Sequence, residues 1–247
     1  MIDRSQRVAA RIFAITYLLT FGIIGVAFSR FYAPFLVWGN DAETARNLIA
    51  HEQAFRLYIT CAFFYGVGLL VALTSLYVLF RPIRRGMALF AAFSCLLYAV
   101  MWFTILLDDF GALRVMSGQG SLRVFEADRL QALAGLQLAS GWDAYYIGLT
   151  FYSLGTLLFS VLFFQSRYIP RTLAGLAVLA SFFQGFCGFA YLIDRSFGSI
   201  VSVNWYEIPV GLLEVAVSVW ILIRGFRPPG AANTIPASSK NSRTHGG

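Results

Sequence analysis

The run Trp205-Tyr-Glu-Ile-Pro-Val-Gly-Leu-Leu-Glu-Val-Ala-Val-Ser-Val-Trp-Ile-Leu-Ile-Arg-Gly-Phe226 decides the fold. It holds no basic residue before Arg224 and is long enough to cross a bilayer as a helix. At about 1.5 Å per residue, a helix here puts Glu214 roughly 14 Å from Trp205 and roughly 15 Å from Arg224. That is close to the middle of a hydrocarbon layer about 30 Å thick. An ionisable side chain at such depth is costly and is a functional-site hypothesis by default.

Working outward, five further apolar runs precede it, at about residues 12–29, 57–80, 86–107, 144–165 and 172–193, with the last spanning about 205–223. Only 13% of the chain is charged and 58% is hydrophobic, whereas soluble chains carry about 25% charged residues. Strand alternation is absent, so a membrane barrel is excluded. The expected fold class is all-α: an integral membrane bundle of six transmembrane helices. One membrane domain covers residues 1–227, followed by a disordered polar tail over 228–247 that is rich in Pro, Gly and Ser. The basic start, the first apolar run and Ala27-Phe28-Ser29 imitate a secretory signal, but the run is too long and more spans follow, so it is read as a retained helix.

Two polar stretches carry helical patterning. Residues 41–56 open with the capping acid Asp41 and are expected to run unbroken into the second span. Residues 121–140 place Leu122, Phe125, Leu133 and Leu136 on one face. They predict an outer amphipathic helix between the third and fourth spans.

Orientation follows from arginine placement. The N-terminus, residues 81–85, residues 166–171 and the tail hold twelve basic residues against one acid, Asp3. The opposite side holds ten acids and seven arginines. The expected location is therefore a plasma membrane, here a bacterial inner membrane, crossed several times with both termini cytoplasmic. Trp38, Trp102, Trp142 and Trp205 fall at the outer interface and Trp220 at the inner one.

The net charge of +7 does not point to nucleic acid, because the basic residues are interleaved with spans and form no continuous patch. The only lysine, Lys240, lies in the tail, so no lysine imine can form inside the membrane. Neither His51 nor His245 lies in a span, which removes a transmembrane bis-His haem. Cys61, Cys95 and Cys187 sit singly in three spans with no metal-ligand spacing. No phosphate loop, zinc-protease or hydrolase motif occurs. No catalytic residue, metal site or cofactor is assigned.

The candidate site is a polar slab. Measured from the basic end of each span, Glu214 lies roughly 15 Å deep, Ser94 roughly 14 Å, Thr156 roughly 17 Å, and Tyr98 and Gln184 roughly 20 Å. No cationic side chain shares that depth. Two readings of Glu214 stay open: a hydrogen-bonded stitch between helices, or an acid that contacts a proton or a cation. Pro209, a little over one turn away, frees a backbone carbonyl and can bend the helix. Of the outer charges, Glu52 and Arg56 are four apart and form an ordinary helical pair, with Arg56 a candidate for an outer vestibule. Glu52, Asp108, Asp109, Asp143, Glu207 and His51 have no ligand spacing and read as solvated rim charges. The glycines paired at 22/25, 66/68, 148/155 and 185/188 read as helix-packing positions.

Three spans end alike, in Ser75-Leu-Tyr-Val-Leu-Phe-Arg81, Ser160-Val-Leu-Phe-Phe-Gln-Ser-Arg167 and Ser218-Val-Trp-Ile-Leu-Ile-Arg224. Internal duplication and convergence on snorkelling arginines both account for this. Short matches run through the chain. They include Ala10-Arg-Ile12, Phe55-Arg-Leu57, Leu76-Tyr-Val-Leu-Phe-Arg-Pro82 with Ala88-Leu89, Leu130-Gln-Ala-Leu133 and Tyr146-Ile-Gly-Leu149. With Ser166-Arg-Tyr-Ile-Pro-Arg171, Gly211-Leu-Leu-Glu214 and Trp220-Ile-Leu-Ile-Arg-Gly225, they give a chain that over about residues 8–227 resembles the DUF4386 family. These are mostly bacterial polytopic membrane proteins of unknown function. The resemblance implies topology and little chemistry. Where that family often carries an acid in the second span and an arginine in the third, this chain has Gly68 and Cys95.

Three function classes follow. One is a non-enzymatic membrane protein without its own substrate. Another is a small transporter or lipophile-binding protein with a mid-membrane cavity around Glu214. The last is an intramembrane enzyme, for which no nucleophile–base pair is visible. Expected partners are the lipid bilayer and, for the second class, a lipophilic small molecule or a proton.

Overall fold

A computed structural model describes residues 3–118, 120–194 and 196–225. The expectation of a disordered tail over 228–247 lies outside the described residues. The chain is helical throughout, with no strand among the described residues. The helices are α1 (Arg4–Phe31), α2 (Asp41–Ala50), α3 (Glu52–Met116), α4 (Ala127–Ser166), α5 (Arg171–Ile193), α6 (Phe197–Ile200) and α7 (Asn204–Arg224).

Five of these, α1, α3, α4, α5 and α7, are long and apolar enough to cross a membrane. The 65 residues of α3 are two such lengths. Its helical path breaks at Arg84, where φ is −146° and ψ is 88°. Pro82 just before it lacks the N–H that would continue the ladder. The arms on either side of Arg84 then lie antiparallel. Trp102 donates its indole N–H to the carbonyl of Ala62 at 2.8 Å, and the rings of Phe63 and Phe103 meet edge-on at 5.8 Å. Six membrane-length segments result, each containing one of the six apolar runs.

The segments form a closed ring. α1 packs on the first arm of α3, where Gly68 faces Thr20. The second arm packs on α4, where Gly155 faces Cys95 and the Ala91 carbonyl. α4 packs on α5 through Gly185 against Ser153 and Gly188 against Thr150. Finally α7 packs on both α5 and α1. Here absence of a side chain lets backbones approach closely. Gly22 and Gly25 differ, since nothing lies within 4 Å of a Cβ placed there.

The two ends of the ring differ in charge. Helix α1 opens on a capping box, with Asp3 accepting from Arg4 N and Gln6 accepting from Asp3 N. Hydrogen bonds from Ser5 and from the Arg4 backbone hold the exposed Asp3 carboxyl below the usual carboxylate range. Gln6 also donates to the Leu79 carbonyl at 2.9 Å and to Tyr168 at 3.3 Å, so α1, the end of the first arm of α3 and the α4–α5 connection meet at one rim. That rim carries the arginines of 81–85 and 166–171, and Arg171 and Arg224 lie over the rings of Phe164 and Trp220.

The opposite, acidic rim departs from expectation at two places. Residues 41–56 do not run unbroken into the second span: His51, at φ −119° and ψ 43°, separates α2 from α3. Its ring stacks on Phe35 at 4.3 Å, and its Nδ1 lies 3.0 Å from the Asn47 carbonyl. The α2 cap is Asn40, which accepts from Glu43 N, and Asp41 is the first helical residue. The amphipathic stretch 121–140 is likewise no separate helix. A short 3-10 turn precedes Ala127, and from there α4 continues straight into the fourth span. Leu133 and Leu136, expected on its apolar face, are exposed, whereas Ala134, Gly135 and Leu138 face the protein and are buried. Small residues win because Gly135 sits against the backbone of Asp41 and Ala42, and a larger side chain would push α2 away. Gln131 secures that contact by donating to the Ala42 carbonyl.

Candidate functional site

Glu214 lies halfway along α7 and turns into the ring. Two hydroxyls reach its carboxyl group. Tyr17 of α1 donates to Oε2 at 2.6 Å, and Tyr152 of α4 lies 2.7 Å from Oε1 and 2.8 Å from Oε2. Three helices that are distant in sequence are therefore joined through one carboxyl group. The aromatic bodies of both tyrosines lie in the core: Tyr17 stacks on Phe21 at 5.5 Å, and Tyr152 packs against Tyr98 at 4.6 Å.

On the basic side of this junction lies a cavity of about 70 Å³. Glu214, Tyr17 and Tyr152 line it, with Thr156, Ser160 and Ser181 as further polar residues and Phe13, Phe159 and Ile169 among the apolar ones. Thr156 returns its hydroxyl hydrogen to the carbonyls of Tyr152 and Ser153. A second cavity, of about 310 Å³, lies on the acidic side. Tyr98 lines that one, so the tilted ring pair of Tyr98 and Tyr152 forms a partition between the two spaces.

The slab residues are therefore divided. Glu214 and Thr156 share the inner cavity, and Tyr98 faces the outer one. Ser94 is buried, turns its hydroxyl back to the Phe90 carbonyl and lines neither space. Gln184 is buried in α5, away from both cavities, with its Oε1 lacking a hydrogen-bond partner among the described residues. Arg56 bonds Glu52 at 2.6 Å on the surface of α3 and lines neither cavity. Among the described residues, no three His, Cys, Asp or Glu side chains gather closely enough to hold a metal ion.

Tyr17 and Tyr152 are the residues of the Glu214 junction that depth alone did not single out. The available signal was periodicity: Tyr152, Thr156, Phe159 and Phe163 recur at helical spacing and all face the inner cavity.

The profile of a domain of unknown function, DUF4386, matches residues 12–225. The chain belongs to the DUF4386 family. The match reaches into every membrane-length segment and includes both tyrosines of the Glu214 junction. Neither a curated protein nor a solved structure matches this DUF4386 member. The two places where an acid and an arginine were expected in the family, Gly68 and Cys95, are both close-packing positions here, against Thr20 and Gly155.

Proposed function

We propose that this chain is a non-enzymatic, multi-pass protein of a bacterial inner membrane. Residues 1–227 act as one domain, both termini are cytoplasmic, and the inner cavity holds a small lipophilic molecule with Glu214 at its polar head. The supporting observation is that the one acid in the middle of the membrane lines a cavity, with two tyrosyl donors orienting its carboxyl group. A purely structural acid would be expected to pack without adjoining space, because voids in a close-packed interior forfeit dispersion contacts. The cavity is small and largely apolar, which suits an acyl or isoprenoid end better than a polar solute. A proton is the alternative occupant of Glu214, transferred along the tyrosyl hydroxyls.

The second reading, a structural stitch, draws support from the same hydrogen bonds, since they leave both carboxyl oxygens satisfied. The two readings separate in one experiment. The protein and its Glu214→Gln variant are purified in the same detergent, and co-purifying lipids and small molecules are compared by mass spectrometry. Binding at the cavity requires a species that is enriched on the wild type and depleted on the variant. An identical load on both, with both monodisperse, removes the lipophile and leaves the structural stitch and the proton.

A further inference from the structure

The outer cavity has a chemistry of its own. It lies between α1, α3, α4 and α7 at the acidic rim, and its volume of about 310 Å³ is at the lower end of the range for small-molecule sites. Its walls are aromatic: Phe28, Tyr58, Trp102, Trp142 and Tyr145 line it, and Trp38 stands at its edge. Trp38 is 76% exposed and its ring lies 6.3 Å from that of Trp142, so these two rings mark a mouth toward the acidic rim.

Two carboxyl groups face this space, Asp109 from α3 and Glu207 from α7. Glu207 accepts a hydrogen bond from Tyr145. Asp109 is only 3% exposed, and its buried Oδ2 has no hydrogen-bond partner among the described residues. Among the described residues, no Arg, Lys or His lines the cavity. A buried acceptor without a partner is rare in folded proteins and calls for an explanation.

We infer that the outer cavity is a binding site for a monovalent lipophilic organic cation, its charge against Asp109 and its apolar body against the aromatic walls. Each feature of the cavity selects for that class. Aromatic faces attract cations through their quadrupole, more strongly when water is excluded. A buried carboxyl group gives the cation a charge partner that bulk water would not. A divalent metal would need several oxygen ligands at short range, and no group of three candidate ligands occurs among the described residues. An anion would meet two carboxyl groups. A neutral lipid could at most donate a hydrogen bond to Asp109 and would leave a charge there without a counter-charge. The site is separate from the inner cavity, because the Tyr98–Tyr152 partition lies between them.

The probe is radiolabelled benzyltrimethylammonium, one aromatic ring and one quaternary nitrogen, measured by equilibrium dialysis against the purified full-length protein in detergent. Its neutral carbon isostere, neopentylbenzene, serves as competitor. Saturable binding is expected, with neopentylbenzene a poor competitor. Asp109→Asn, which keeps the shape and removes the charge, is expected to weaken binding at least tenfold, and Glu207→Gln about threefold. Tryptophan emission gives a second readout, because Trp38, Trp102 and Trp142 line the space. Should Asp109→Asn fail to elute as a single species, Glu207→Gln carries the comparison. The inference is overturned by an absence of saturable binding to the wild type, by equal competition from neopentylbenzene, or by folded variants that bind within twofold of the wild type.

Discussion

Glu214 is held by oxygen donors from two other helices, and each of those donors can be removed singly. Tyr152 lies close to both carboxyl oxygens and Tyr17 to one. Interhelical hydrogen bonds inside membranes are worth about 0.6 kcal/mol on average and up to about 1.7 kcal/mol. Tyr152→Phe is therefore expected to cost about 1 kcal/mol in reversible unfolding from mixed micelles, and Tyr17→Phe somewhat less. The double variant leaves a buried carboxyl group without a protein donor, a penalty neither single change incurs, so its cost should exceed the sum of the two. Strict additivity would mean that the hydroxyls do not share Glu214. This junction was half legible beforehand. An acid inside an apolar run is anomalous by composition, so Glu214 stands out. Tyrosine is at home in cores and at interfaces alike, so Tyr17 and Tyr152 do not. Depth can be counted along one helix, but rotation about the axis depends on the neighbours. That is why Ser94 and Gln184 fall in the same polar slab as Glu214 and yet line neither cavity.

Between elements, the ring is set by where side chains are missing. A Cβ on Gly155 would press on Cys95 and lie 2.9 Å from the Ala91 carbonyl oxygen, which belongs to a helix backbone and cannot turn aside. Overpacking of this kind costs about 1–3 kcal/mol, and here it would also separate α4 from α3, the seam that carries Tyr152. Gly155→Val should therefore sharply reduce the monodisperse fraction in size-exclusion chromatography. Gly22→Val, made where there is open space, should leave the elution profile unchanged. Equal loss in both would show that the small residues matter through backbone propensity and not through the seam. The same physics explains what could be read of the elements in advance. Apolar runs long enough to span announce themselves one by one, and all six lie within helices. The breaks between them were harder, because they depend on tertiary partners. His51 interrupts a stretch of good helix formers where its ring meets Phe35. Residues 127–143 join the fourth span because α2 offers them a backbone to pack on.

For the whole molecule, the outer surface of the ring is a belt of exposed apolar side chains. Leu179, Phe182 and Phe186 on α5, and Leu19 and Val26 on α1, are each at least 60% exposed. A soluble monomer rarely presents so continuous an apolar surface, whereas lipid tails cover it without cost. That belt lies between an arginine-rich rim and an acidic rim, and the asymmetry sets direction. Short loops rich in arginine stay on the cytoplasmic side during insertion, so the proposed orientation predicts residues 81–86 inside and the start of α4 outside. Gly86 and Ala127 report on the two rims: both are exposed, and Gly86 has nothing within 4 Å of an added Cβ. In a background with Cys61, Cys95 and Cys187 replaced by alanine, Ala127→Cys should react with a membrane-impermeant maleimide in intact cells. Gly86→Cys should react only after permeabilisation or in inverted vesicles. The reverse pattern would put the termini outside, and the mouth at Trp38 would then open to the cytoplasm. Labelling of both positions in intact cells would mean a mixed population, as expected when arginine bias rather than a folded outer domain decides insertion. The outcome therefore also bears on which compartment could deliver a cation to the outer cavity, whose edge is marked by the exposed Trp38.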